Sequence, residues 1–209
     1  MPLSFTLNGA SFTLTNECLE QMAETLRKTK VRERGFKFCG GPQALTPGRA
    51  HIGGPYSIHT RNCSGKPAYG GFHTHPINDS EPSSTDVLHI LWGTWSSGKP
   101  WLGCRGGIDQ KIRCETATRI PTAKDYIRLK HAAPKERMTW LSAPHIFSVK
   151  DVPELIKPPV IIKPPEIKLW QRAIEMDKLH SLEELRGMCQ QKGLSTSGDK
   201  KKLAMSLLT

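Results

Sequence analysis

Two histidines, a serine and an aspartate lie close together near the middle of the chain, at a spacing suited to holding a metal ion. His73 and His75 flank a single threonine, and Ser83 and Asp86 follow after a short polar stretch. Histidines two residues apart on a strand project to the same side of it. Ser83 and Asp86 open an apolar run that favours a capped helix, on which they stand about one turn apart. The four side chains are therefore expected to meet where a strand leads into a helix.

The residue types favour a catalytic zinc. Imidazole nitrogens and a carboxylate oxygen are common zinc ligands, and His73, His75 and Asp86 supply three of them. The fourth tetrahedral position would stay open for water, whereas structural zinc sites are normally closed by four protein ligands. The chain contains neither His-Glu-x-x-His nor the His-x-Glu and Pro-Cys-x-x-Cys pair of the zinc deaminases, so those enzyme classes are disfavoured.

The same residues resemble the signature of the JAMM, or MPN-plus, metalloproteases. That signature is an upstream Glu, then His-Ser/Thr-His-Pro, then Ser-x-x-Asp, and the chain matches the last two parts in type and in spacing. The resemblance implies a zinc metallopeptidase or isopeptidase that acts on a protein substrate such as a ubiquitin or ubiquitin-like conjugate. It also implies an α/β fold of the MPN, cytidine-deaminase-like kind, with a mixed sheet flanked by helices.

The resemblance also requires a general base, and Glu33 is the candidate. It lies in a predicted strand over residues 31–41, after a predicted amphipathic helix over residues 16–30. The mechanism implied is that Glu33 takes a proton from zinc-activated water and delivers it to the leaving amine. The Ser83 hydroxyl is expected to stabilise the oxyanion. The alternatives are that Glu33 is an exposed strand carboxylate and that Ser83 is only a helix cap.

The C-terminal residues 178–209 predict a helical hairpin. Ser181 and Glu184 form a capping box at the start of the first helix, Gly193 ends it, and residues 199–208 predict the second helix. The hairpin resembles the SAP motif along the pattern Leu-x-x-Leu-x-x-x-Cys-x-x-x-Gly-Leu-Ser-Thr-Ser-Gly-x-Lys. SAP motifs typically bind duplex DNA.

The SAP resemblance implies phosphate contacts from the turn and from the start of the second helix, where backbone amides favour anions. The five candidate DNA-binding residues are Ser197, Gly198, Lys200, Lys201 and Lys202. The alternative is a hairpin that binds a protein partner, with solvated lysines.

The chain is strongly basic, which suggests an anionic partner. Its net charge is +11, and the residues before Asp151 carry 20 of the 30 basic and 11 of the 19 acidic side chains. Most of the excess positive charge therefore lies outside the SAP-like hairpin. Either the catalytic part itself lies along nucleic acid, or it faces an acidic protein substrate, or its surface lysines have no partner.

Three regions are predicted along the chain. Residues 1–149 form the metalloprotease domain, residues 150–177 form a Pro-rich linker with a bracing helix, and residues 178–209 form the SAP-like motif. Two Lys-Pro-Pro repeats in the linker favour polyproline II. The alternative is that this segment packs along the catalytic domain. Within that domain, residues 3–14 predict a hairpin with Asn8-Gly9 as its turn, and four further strands are predicted.

No segment resembles a secretion signal or a membrane span. An intracellular protein in the nucleus, the nucleoid or a virion is therefore expected, with six reduced cysteines. The alternative is that Cys104 and Cys114 meet across a hairpin, or join Cys63 in a second metal site. Among the aromatic residues, three tryptophans are expected in the core, namely Trp92, Trp95 and Trp101. His89 is expected to be a core histidine or to support the metal ligands from behind.

Two classes of function are compatible with these features. One is a zinc isopeptidase, or a processing protease of a viral or phage structural protein, held on DNA by the SAP-like hairpin. The other is a non-enzymatic DNA-bound scaffold with a structural or idle zinc site. The complete ligand set with an open position favours the first class.

Overall fold

The structure, a computed structural model, describes residues 1–55, 57–60, 63–148, 172–173, 176 and 180–208. The chain divides into two compact units, Met1–Val160 and Ile161–Thr209. The linker and bracing helix predicted over residues 150–177 lie almost entirely outside the described residues. Within the described part of the chain, no helix is long and apolar enough to span a membrane.

The first unit is built from strands and helices that alternate along the chain. Its strands are β1 (Leu3–Leu7), β2 (Ala10–Leu14), β3 (Arg34–Gly41), β4 (Ala44–Pro47), β5 (His51–Ile52), β6 (Ala68–Thr74), β7 (Leu102–Gly106), β8 (Lys111–Glu115) and β9 (His145–Ser148). Its helices are α1 (Asn16–Lys28), α2 (Ser84–Ser97), α3 (Ala123–His131) and α4 (Pro134–Met138).

These strands form one mixed sheet. The order across it is β1-β2-β4-β3-β6-β7-β8-β9, and the short β5 pairs with β3. The β2–β4 and β6–β7 pairs are parallel, and the other pairs are antiparallel. The predicted α/β class is therefore confirmed at the level of a mixed sheet with helices.

Local sequence signals explain the first elements of the sheet. Asn8 and Gly9 both adopt positive φ, as a two-residue hairpin turn requires, and they join β1 to β2. The Thr15 side chain accepts a hydrogen bond from the Cys18 amide and caps α1. The predicted hairpin and helix are confirmed. The predicted strand over residues 31–41 begins only at Arg34, so Glu33 lies just before β3 and not within it.

The two faces of the sheet have different roles. One face, which includes Phe36, Phe38 and Phe72, packs with α1 into the main hydrophobic core. On the other face, the Ile90 side chain of α2 lies over Gly103, where a Cβ would come within 2.5 Å of it. Side chains alternate between the faces of a strand, so the residues between the buried phenylalanines face α2. The candidate site lies on that face.

The expectation that Trp92, Trp95 and Trp101 lie in the core is wrong, because none of them belongs to a core cluster and Trp101 is only partly buried. Trp92 is 49% exposed and Trp95 is 38% exposed, and Trp95 stacks on Tyr126 with ring centroids 5.4 Å apart. The tryptophan that joins the core beneath α2 is instead Trp140. Trp92 and Trp95 are exposed because they lie away from the buried side of α2. That side carries Val87, Ile90 and Leu91.

The expectation of six reduced cysteines is also wrong. Disulfides join Cys39 to Cys63 and Cys104 to Cys114, while Cys18 and Cys189 are free and buried. Cys104 and Cys114 are direct partners in the antiparallel β7–β8 pair. Sequence spacing alone could not show that pairing, which was weighed only as an alternative. Disulfides persist mainly in oxidising environments, which weakens the argument for a reducing compartment.

The disulfides make a prediction about alkylation. Protein purified without reductant and unfolded in denaturant should take up two iodoacetamide groups, on Cys18 and Cys189, because the other four thiols are bonded. Peptide mass spectrometry measures this directly. Labelling of six cysteines without reductant would contradict both pairings, and labelling of four would identify which bond is absent.

The C-terminal unit contains the predicted hairpin. Its helices are α5 (Leu182–Gln191) and α6 (Lys200–Leu208). Ser181 and Glu184 make the capping box at the start of α5, and Gly193 has a φ of 67° just beyond its end. The apolar side chains of both helices form a separate small core from Ala173, Leu185, Cys189, Leu203, Ala204 and Leu207. The predicted helical hairpin is confirmed as local structure.

Candidate metal and catalytic site

The three predicted ligands converge on one point at the end of β6 and the start of α2. The Asp86 carboxylate lies 3.0 Å from His73 Nε2 through one oxygen and 3.3 Å from His75 Nε2 through the other. The two Nε2 atoms are 3.1 Å apart. His75 and Asp86 are buried, and the His73 side chain is 18% exposed. The sequence prediction that these three side chains meet is confirmed.

The spacing of these atoms fits zinc. A tetrahedral zinc ion with bonds of about 2.0–2.1 Å holds its ligand atoms about 3.3 Å apart. The Nε2 atoms of His73 and His75 are 3.1 Å apart, which is close to that value, and one Asp86 oxygen lies within 4.8 Å of both. Two imidazoles and one carboxylate also match the chemistry that zinc prefers. The donor set is therefore suited to a divalent cation of this kind.

A backbone carbonyl orients the second histidine. His75 Nδ1 lies 3.1 Å from the carbonyl oxygen of Asp79. Because a carbonyl can only accept, Nδ1 must donate, and His75 Nε2 then presents its lone pair to the Asp86 carboxylate. Two electron-pair donors in such close contact favour a cation between them, either a proton or a metal ion. Metal-binding histidines commonly have such a partner on the other nitrogen.

Electrostatics in the cluster agree with a cation site. Burial raises the pKa of Asp86, but the two neighbouring imidazoles outweigh this effect and hold that pKa well below its usual value. Burial lowers the pKa of His75, but Asp86 and Glu33 reverse the effect and raise it overall. Burial dominates at His73, whose pKa is lowered despite its contact with Asp86. The opposite directions at Asp86 and His75 arise from the attraction between the carboxylate and the imidazole.

The start of α2 positions Asp86. The Ser83 Oγ accepts a hydrogen bond from the Asp86 amide, and the Ser83 amide donates to the Asp86 carboxylate at 2.7 Å. This is a capping box, which ties the ligand to the helix terminus. Asp86 therefore has two roles, because the carboxylate that faces the histidines also closes the helix start.

Glu33 lies next to the ligands although it is outside the strand. Gly35 pairs with His73 in the antiparallel β3–β6 ladder, so continuing the register places Glu33 opposite His75. Side chains two residues apart share a face, and Glu33 acts electrostatically on His75. Glu33 is 8% exposed. The alternative that it is an exposed strand carboxylate is therefore wrong.

A glycine allows this close approach. A Cβ at Gly35 would come within 2.4 Å of the Phe72 carbonyl oxygen and 2.9 Å of the His73 Cβ. The backbone at Glu33 is fixed from the other side, where its amide donates to the Gly54 carbonyl at 2.7 Å and its carbonyl accepts from the Gly53 amide at 2.8 Å. The candidate base is thus held between two neighbouring segments.

Ser83 is a helix cap, and this role leaves its hydroxyl proton available. The Oγ accepts from the Asp86 amide, and a hydroxyl has one donor besides its acceptor lone pairs. Ser83 is exposed to solvent. Both roles expected for this serine are therefore compatible in geometry.

Sequence reasoning missed Arg105, a charged residue beside the ligands on the same face of the sheet. It lies opposite His73 in the β6–β7 pair, is 1% exposed and forms an ion pair with Glu115. Burial lowers the pKa of the guanidinium, while Glu115 and Asp86 oppose this effect. No sequence signal could have identified Arg105, because its importance depends on a pairing between strands that are distant in sequence.

A cleft of about 490 Å³ opens beside the ligands. His73 and Asp86 contribute to its lining, together with the exposed Trp92. His89 also lines the cleft and is exposed, so it is not a core residue. Burial nevertheless lowers the pKa of His89.

The structure places the candidate DNA-binding residues together in the C-terminal unit. Ser197 and Gly198 lie in the turn before α6, and the Lys202 side chain lies over Gly198, where a Cβ would come within 2.7 Å of it. The Lys202 amide already donates to the Asp199 carboxylate at 2.9 Å. The start of α6 is therefore partly capped by an anion of the chain itself, which makes the expected phosphate contact there less favourable. Lys200 and Lys201 occupy the first positions of the helix.

No protein-family model matches the sequence, and no curated protein matches it significantly. The resemblance to the JAMM and SAP families therefore depends on the motifs described above.

Proposed function

We propose that the chain is a zinc-dependent metallopeptidase or isopeptidase of the JAMM, MPN-plus type. The observation that supports this most directly is the convergence of His73, His75 and Asp86, with Glu33 placed opposite His75 across the β3–β6 ladder. A purely structural zinc site would normally have a fourth protein ligand. The His73, His75 and Asp86 group is the only such cluster of metal-ligand residues among those described.

The residues divide the chemistry between them. His73, His75 and Asp86 would hold the ion, which when bound supplies a Lewis acid and lowers the pKa of a water ligand toward about 7. Glu33 accepts the water proton and returns it to the leaving amine. Ser83 donates its free hydroxyl proton to the oxyanion that develops on the substrate carbonyl.

The proposed substrate is a protein, with ubiquitin-like conjugates as one class and viral or phage structural proteins as another. The decisive test is incubation of the zinc-loaded full chain with ubiquitin chains and with a library of unmodified peptides, with and without chelator. We expect cleavage that stops on chelation and returns with added zinc. The Glu33→Gln variant, loaded with zinc in the same way, is the matched control.

Two results of that assay would contradict the proposal. Cleavage that continues at the same rate after complete zinc removal would exclude the metal mechanism. Tight zinc binding without hydrolysis of any substrate would instead favour the scaffold, in which the ion has a structural role.

We further propose that the C-terminal unit binds duplex DNA. Three consecutive lysines stand at the start of α6, and the adjoining turn contains Ser197 and Gly198. Electrostatic contacts of this kind are weakened by salt, with a slope of about −0.9 in log–log form for each neutralised phosphate. Such binding would keep the enzyme on a nucleoid, chromatin or a packaged genome.

Replacing Lys200, Lys201 and Lys202 by glutamine is expected to weaken duplex DNA binding and to reduce its salt slope. Each lost phosphate contact should lower the slope by about 0.9. The matched control replaces three exposed lysines of the first unit, Lys124, Lys130 and Lys135, which removes the same charge. Fluorescence anisotropy over a salt series measures both. Equal losses in the two variants would show that net charge, and not the hairpin, determines DNA binding.

A further inference from the structure

On the sheet side of the cleft, a glycine leaves part of the strand backbone uncovered by a side chain. Gly71 lies on the α2-facing side of β6, two residues before His73, and it pairs with Lys37 of β3. A Cβ at Gly71 would come within 3.3 Å of the Phe36 carbonyl oxygen and 3.8 Å of the Lys37 side chain. A bound group can therefore reach the sheet backbone about 6–7 Å along the strand from His73.

Aromatic rings form the walls of this cleft. Trp92, Trp101 and Tyr126 all line it. The Trp101 ring is held against α2, where a Cβ at Gly93 would come within 2.4 Å of it. Rings fixed in this way present an apolar surface at low entropic cost, which suits the body of a flat or aliphatic group.

The cleft also carries a cation that has no carboxylate partner among the described residues. Lys37 Nζ lies 5.0 Å from the centroid of the Trp101 ring. Burial lowers the pKa of Lys37, and the positive charge of Lys37 in turn contributes to lowering the pKa of His89. Asp86 is the only carboxylate among the described residues that line the cleft, and it faces the two histidines.

The other charged groups around the cleft do not supply Lys37 with a partner. Arg105 is neutralised by Glu115, and His59 and His89 add positive charge when protonated. A partly desolvated ammonium without a counter-ion is unfavourable, and an anionic ligand relieves that cost. Apart from Asp86, the ionisable groups of Lys37, Arg105, His59 and His89 that line the cleft thus favour an anionic ligand.

We propose that this cleft is a substrate subsite for a carboxylate on an apolar body, with Lys37 binding the carboxylate and Trp92 and Trp101 contacting the body. This subsite rests on the proposed peptidase function, because the bound group is a substrate only if the chain is a peptidase. The separation of Lys37 from His73 along the sheet places the carboxylate one or two residues from the scissile bond. Two sources share this chemistry, the free C-terminus of a substrate chain and an acidic side chain within it.

A binding experiment tests the subsite without requiring turnover. The probes are 3-phenylpropanoate and its neutral amide, 3-phenylpropanamide, titrated into the full chain by calorimetry with and without zinc. We expect the acid to bind about 10-fold to 100-fold more tightly than the amide, because a charge-assisted contact is made only by the acid. The preference should be present in both metal states.

Three variants locate the contact. Lys37→Met preserves the length of the side chain and should abolish the preference, whereas Lys37→Arg should keep most of it. Lys99→Met is the matched control, because Lys99 also lies over an aromatic ring, 5.6 Å from the Tyr69 centroid, but does not line the cleft. Equal affinity for acid and amide would overturn the proposal. A preference that survives in Lys37→Met would overturn it too, since the carboxylate would then be bound elsewhere.

Peptide competition distinguishes a C-terminal carboxylate from an acidic side chain, and it tests the subsite separately from the peptidase function. A peptide with a free C-terminus, its amidated form, and an amidated form with an internal glutamate compete against 3-phenylpropanoate. Displacement by the first identifies the C-terminus, displacement by the third identifies a side chain, and failure of both overturns the subsite. Binding that depends on Lys37 in a protein that hydrolyses nothing would refute the peptidase and leave the anion site intact. Hydrolysis in a protein whose binding of the acid does not depend on Lys37 would refute the anion site and leave the peptidase intact.

Discussion

Replacing Asp86 by alanine is expected to lower zinc affinity by more than about 100-fold. Loss of a residue that only supports a metal ligand typically costs about 10-fold to 100-fold, and Asp86 supplies a ligand atom itself. The variant should also lose about 1 kcal/mol of folding free energy, because Asp86 closes the capping box of α2. Competition with a chromogenic chelator measures the first effect, and denaturant unfolding of the metal-free protein measures the second.

Asp125 is a matched control for this experiment. It closes the same kind of capping box, with Thr122 at the start of α3, and it is not among the converging ligand residues. Asp125→Ala should therefore lose a similar amount of stability and keep its zinc affinity. If both variants lose zinc equally, the effect arises from helix capping and Asp86 is not a ligand. Unchanged zinc affinity in Asp86→Ala would exclude the proposed site altogether.

Replacing Glu33 by glutamine is expected to reduce hydrolysis by about 10²-fold to 10⁴-fold while zinc stays bound. The amide has the shape of the carboxylate but cannot take the proton from water, and a positioned base contributes rate factors of this size. Measurement of the turnover rate beside the metal content of the same sample separates a base from a ligand. Because Glu33 acts electrostatically on His75, a modest change in the pH dependence of zinc binding is also expected.

Glu20→Gln provides the comparison for Glu33. Glu20 lies exposed on α1, and its replacement removes the same charge from the chain. It should hydrolyse substrate at the native rate. A Glu33→Gln variant with native turnover would show that another group is the base, and a variant that lost its zinc would assign Glu33 to the ligands.

The sequence by itself determined the turns, the helix caps and the alternation of side chains along a strand, because each of these depends on only a few neighbouring residues. The Asn8-Gly9 turn permits positive φ at both positions, and the Thr15 and Ser83 hydroxyls cap the helices that follow them. His73 lies in β6 and His75 just past its end, and they share a side because residues of an extended chain alternate with a period of two. The ligand set could therefore be predicted before any tertiary contact was known.

The positions of the other residues around the site were decided by contacts between strands that are distant in sequence. Glu33 reaches His75 only because β3 pairs with β6, and Gly35 lets the two strands approach. Arg105 is brought beside His73 by the β6–β7 pairing, and Cys104 meets Cys114 by the β7–β8 pairing. Lys37 has no counter-ion among the described residues, because the one carboxylate that lines its cleft, Asp86, faces the two histidines. Register and burial are properties of the folded chain, since many pairings of these strands satisfy the same local propensities.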